Sequence, residues 1–154
     1  MKPITTTELS RFVKLTKTAC YDYHNKEEYR KLGRRILKYI AEQMELAKGE
    51  FDIRWNPGGI ACSGDHVLHT DKIYLALHDN IGAGWFYWRT CKGRKDYTGG
   101  PNQIVTWNAL LRGGLAPLVA VLKMAQKGSV VEPNGDENFN SVNHINNAMR
   151  ALRV

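Results

Sequence analysis

Between residues 29 and 47 the apolar side chains of this chain recur at the period of an α-helix. From residue 51 to residue 91 they fall instead into short runs rich in aromatic and β-branched residues, set apart by NPGG and DNIGAG. A helical stripe and an alternating strand bury different sets of positions, so this switch of period dictates helices first and a sheet second. The expected class is α+β: two N-terminal helices packed on a small antiparallel sheet of three or four strands, followed by broken C-terminal helices. At 154 residues the chain suits one compact domain spanning residues 1–154.

The helical third carries its own punctuation. Thr6 or Thr7 can cap a first helix with apolar positions Leu9, Phe12, Val13, Leu15 and Ala19. In the second, Asn25 stands as N-cap and Glu28 three residues on. Tyr29, Leu32, Ile36, Tyr39, Ile40, Met44 and Ala47 form one stripe, and Gly49 marks the stop. The strands are expected in FDIRW, HVLHTDKIYLALHD and WFYWRTCK, with Val67, Ile73, Leu75 and Leu77 facing the helices and QIVTW as a fourth, edge strand. Thr106 can cap WNALLR, Gly113 and Gly114 interrupt it, and Pro117 suits the start of a second helical piece. VEPNGDENFN reads as an exposed connection and Ser141 as the cap of a short terminal helix.

No run approaches the roughly 18 apolar residues of a membrane span, and MKPITTTELS lacks an apolar signal core. A soluble, cytoplasmic protein without a membrane partner is expected. Cys20, Cys62 and Cys91 are widely spaced and odd in number, which fits free thiols rather than a disulfide scaffold or a zinc knuckle. Cys91, beside Lys92 and Arg94, is expected to favour its thiolate.

The formal charge of +7 favours anionic partners. Its densest expression is WFYWRTCKGRKDYTGG, where four consecutive aromatics run into Arg89, Lys92, Arg94 and Lys95, followed by Tyr97. Side chains of a strand alternate, so either Trp85 and Tyr87 or Phe86 and Trp88 must leave the helix-covered face. Cover by a C-terminal helix or a partner subunit would account for that pair; so would a platform for stacking bases, with the four cations on phosphates. Arg30, Arg34 and Lys38, four apart on the second helix, offer another phosphate ridge. The leading expectation is therefore a small basic module binding nucleic acid, DNA or RNA, or another phosphorylated partner, with no cofactor and no covalent chemistry.

Two other classes fit the same residues. A regulator or inhibitor of another protein would use exposed aromatics and arginines as a hot spot, and a homodimer would bury them. A metal-dependent nuclease would draw on His69 and Asp71, two apart in the cluster Asp65, His66, His69, Asp71, His78 and Asp79. Neither GxxxxGK[ST], HExxH nor GxSxG occurs.

Overall fold

A computed structural model of the chain describes residues 1–19, 23–57, 64–79, 84–96 and 101–128. The order of elements is α1 (Thr6–Thr18), α2 (Tyr23–Gln43), β1 (Phe51–Pro57), β2 (Gly64–Thr70), β3 (Ile73–Leu77), β4 (Trp85–Thr90), β5 (Gln103–Thr106), α3 (Trp107–Gly113) and α4 (Ala116–Gln126). The fold is α+β, and the five strands among the described residues form one antiparallel sheet in the order of the chain. Tyr97, the connection VEPNGDENFN and the Ser141 helix lie outside the described residues.

α1 begins one residue earlier than Thr6 or Thr7 would cap it. Thr5 is the N-cap, its hydroxyl accepting from the Glu8 amide at 3.0 Å while the Glu8 carboxylate accepts from the Thr5 amide at 3.1 Å. This reciprocal pair satisfies two amides that no helical carbonyl can reach. α2 starts at Tyr23, so Asn25 lies inside the helix rather than capping it, and Glu28 turns to α1. Two arginine forks clamp the hairpin: Arg11 Nη2 to Glu28 Oε1 at 2.6 Å, and Arg35 Nε to Glu8 Oε2 at 2.7 Å. The Arg35 fork holds the Glu8 carboxyl well below its usual range, at about 2.

The long stretch HVLHTDKIYLALHD is two strands, not one. Between them Thr70 Oγ1 accepts from the amides of Lys72 and Ile73, both at 3.0 Å, and donates to Gln126 Oε1 of α4 at 2.6 Å. A hydroxyl that satisfies the turn's own amides replaces the glycine or asparagine such a reversal usually displays. The reversal inverts the expected facing of Val67. It pairs with Ala76, while Leu68 pairs with Leu75, so Leu68 and not Val67 joins Ile73, Leu75 and Leu77 toward the helices.

The core lies between that face and the helices. α2 packs on β1 and β2, α4 on β3, and α1 on α2 and α3. Phe12, Tyr29, Ile36, Ile40, Leu68, Leu75, Phe86, Trp107 and Leu118 close it from water. Thr106 caps α3, accepting from Ala109 N at 3.0 Å, and Pro117 sits in the first turn of α4, as the sequence led us to expect. α3 and α4 meet at 104° across Gly114. No single described helix is long and apolar enough to cross a membrane. The bent α3–α4 pair matches a span in length and composition, but its apolar side chains, among them Leu110, Leu118 and Leu122, are buried in the core.

Candidate functional site

Alternation along β4 sends Phe86 and Trp88 into the core, with 0% and 2% of their surface exposed, and turns Tyr87 and Arg89 to the opposite face. Trp85 shares the latter parity but sits at the strand's start and packs partly on the main core. The register assembles the face that carries Tyr87: Arg54 from β1, Val67 and His69 from β2, Tyr74 and Ala76 from β3, Tyr87 and Arg89 from β4. None of the described helices packs here; α1 to α4 all belong to the other layer.

Arg89 is the centre of this face, its guanidinium carbon held over the Tyr74 ring. That carbon is 4.4 Å from the centroid of the Tyr74 ring and 5.7 Å from that of Tyr87, and the two rings stack at 6.4 Å with planes 23° apart. The ring quadrupoles attract the cation, and a weakly hydrated planar guanidinium loses little on leaving water. This base is nearly closed to solvent, Arg89 at 8% and Tyr74 at 7% exposure, with Tyr87 and Arg54 half-buried. His69 stands edge-on to Tyr74 at 5.0 Å, with Nδ1 3.2 Å from Arg54 Nη2 and Nε2 3.2 Å from the Gly93 carbonyl oxygen. Burial, with the Arg54 charge second, lowers the pKa of His69.

The four cations expected to act together do not. Arg89 is stacked as described. Arg94 is drawn down onto the sheet edge, its Nε 3.2 Å from Asp71 Oδ1, its Nη1 3.7 Å from Asp52 Oδ1, and its Nη2 donating to the Gly49 carbonyl. Lys92 and Lys95 remain exposed, without an ion pair among the described residues. On α2 the ridge divides likewise: Arg30 pairs with Glu27 at 2.5 Å, whereas Arg34 and Lys38 are exposed.

His69 and Asp71 do not form a ligand pair. Asp71 is exposed in the β2–β3 turn and bound to Arg94, while both His69 nitrogens face Arg54 and Gly93. Among the described residues no group of three or more His, Cys, Asp or Glu is arranged to hold a metal. The rest of the cluster serves the ends of strands: His78 Nδ1 meets Asp65 Oδ1, and Asp79 Oδ1 accepts from the Gly84 amide at 3.0 Å, its carboxyl pushed up by burial.

Cys91 departs from the thiolate expectation. Its Sγ donates to the Thr70 carbonyl at 3.3 Å, and burial, the leading cause, pushes the thiol pKa up despite the charge of Arg89. Alkylation by iodoacetamide, followed by mass spectrometry of the Cys91 peptide, will proceed more slowly at pH 8 than in the unfolded chain. A rate equal to or above that of the unfolded chain would refute the burial account.

Sequence reasoning missed Arg54 and Tyr74. The signal for Arg54 was present in FDIRW, where Asp52 and Arg54 alternate with Phe51, Ile53 and Trp55. Comparison with known proteins finds no matching family model, no matching curated protein and no matching solved structure.

Proposed function

We propose that this chain is a binding module that regulates another protein, and that the partner docks on the aromatic and guanidinium face of the sheet. The observation that carries this reading is the Arg89 stack on Tyr74 and Tyr87. An arginine drawn over one ring and beside a second is desolvated and held close to the sheet, and it is not an extended hook for phosphate. Tyrosine and arginine dominate the energetics of protein interfaces, and they do so where packing has already excluded water. Arg54 and Tyr87, at the margin of the closed base, supply the accessible contacts. Of the seven cations expected to hold phosphates, Arg89 is stacked on rings and Arg94 and Arg30 are paired with carboxylates, which leaves Lys92, Lys95, Arg34 and Lys38.

Two titrations of the pure chain decide between these partners. Proteins captured by the chain from cell extract are identified, purified and titrated against wild type and a folded Tyr87→Ala variant. We expect the variant to bind at least tenfold more weakly, the loss of a hot-spot side chain, with shallow dependence on salt. In parallel, labelled single- and double-stranded DNA and RNA are titrated from about 50 to about 200 mM salt. Tight binding to a nucleic acid that collapses over that range, and that Lys92→Ala with Lys95→Ala abolishes while Tyr87→Ala does not, would replace the proposal with the nucleic-acid reading.

A further inference from the structure

β1 is an edge strand with the features of an interface. Its seven residues pair one-to-one with β2, from Phe51↔Thr70 to Pro57↔Gly64, without a bulge. Its other edge meets no strand among the described residues. Sheets ordinarily protect such an edge by keeping it short, bulged, or broken by proline, and here the only proline stands at the last position. Phe51, Ile53 and Trp55, on the helix side, are only half-buried.

The charges on the other side form a self-complementary pair. Asp52 and Arg54 flank Ile53 on one face, both partly open to solvent. We infer that two copies of the chain join by antiparallel pairing of β1 with β1 about a two-fold axis at Ile53, giving one continuous ten-stranded sheet. In that register Asp52 stands opposite the partner subunit's Arg54, and Arg54 opposite the partner subunit's Asp52. On the helix side Phe51 stands opposite the partner subunit's Trp55. Cross-strand neighbours of opposite charge and of aromatic character are the pairs that stabilise sheets.

The register is specified as well as allowed. A two-fold axis that keeps both helix layers on one side permits slips of two residues only, because a slip of one exchanges the faces. Slipping by two sets Asp52 against the partner subunit's Asp52, or Arg54 against the partner subunit's Arg54. Within β1, only the pairing centred on Ile53 sets each charge opposite its complement. Beside Phe51 lies a hollow of about 530 Å³, lined by Met1, Ala41, Leu46 and Phe51 among others, on the side to which the partner subunit's Trp55 is brought.

Sedimentation equilibrium of the full chain tests this. We expect a particle of twice the 17.5 kDa chain mass. Asp52→Arg and Arg54→Asp each place like charges across the axis at both ends, and each should raise the dimer dissociation constant at least tenfold. An equimolar mixture of the two variants should restore the dimer, because every contact in the mixed pair is again opposite in charge. An ion pair within one chain cannot produce that rescue. A wild-type monomer at about 1 mM, a dimer that neither variant weakens, or folded monomeric variants whose mixture stays monomeric would each overturn the inference. If a substitution unfolds the chain, hydrogen exchange of the wild type decides. The outward-facing amides of β1 slow as concentration rises if the dimer forms through this edge, and exchange independently of concentration if it does not.

Discussion

Gly33→Ala lowers the stability of this protein by about 2 kcal/mol, although alanine is the better helix former by about 1 kcal/mol. Gly33 lies ten residues into α2, where a glycine normally costs the helix backbone entropy and returns nothing. Here it makes room for an imidazole. A methyl group at Gly33 would stand 2.3 Å from both Cδ2 and Nε2 of His66 and 2.6 Å from Cε1, far inside van der Waals contact. The ring has little freedom to yield, since Tyr29 meets it edge-on at 4.5 Å, Phe12 at 5.6 Å, and Trp55 flanks it at 6.3 Å. Overpacking a site of this kind costs about 1 to 3 kcal/mol, and the upper end exceeds the gain in helix propensity.

Urea denaturation of wild type, Gly33→Ala, His66→Ala and the double variant measures the contact as a coupling. His66→Ala removes the obstruction, so the second substitution should cost far less in its presence than alone, and the two effects should fall short of additivity by more than 1 kcal/mol. A Gly33→Ala protein more stable than wild type would mean that α2 and β2 are not held at this separation by the ring.

Whether such a feature can be read from sequence depends on how far apart its parts lie in the chain. The stripe Tyr29, Ile36, Ile40 and Met44, the cap at Thr106 and the stop at Gly114 are local patterns, and the structure follows them. Gly33 and His66 belong to different elements, and no periodicity relates them. The turn at Asp71–Lys72 escaped notice because Thr70 satisfies its amides with a hydroxyl, so the usual glycine signal is missing. That omission inverted Val67. The basic loop misled for another reason: Arg89, Lys92, Arg94 and Lys95 are close in sequence, but pleating and the return of β3 deliver Tyr74 to Arg89 and Asp71 to Arg94. Charge density along a chain counts cations and leaves out the carboxylates and rings that consume them.

His66 itself makes the fold sensitive to mild acid. Only 1% of its surface is exposed, no ion pair holds the ring among the described residues, and the pKa falls from 6.5 to about 4. Burial is the leading cause; the Arg30 carbonyl and the Asp65 charge act in the opposite direction and do not offset it. Above pH 6.5 the ring is neutral both folded and unfolded, and the difference has no effect. Between about pH 6.5 and 4 the unfolded chain binds a proton that the folded chain refuses, so stability falls as pH falls, by up to about 1.4 kcal/mol for each pH unit. The full loss is about 3 kcal/mol, reached near pH 4. The Glu8 carboxyl, held at about 2, contributes its loss at lower pH, between 4.5 and 2, so the two windows barely overlap. Urea midpoints measured from pH 7.5 to 4 should therefore decline steeply in wild type and much less in His66→Asn, whatever the variant's stability at neutral pH. Equal slopes in the two proteins would show that another group carries the acid response. A steep decline confined to wild type would establish that the close approach of α2 to β2 requires an uncharged imidazole.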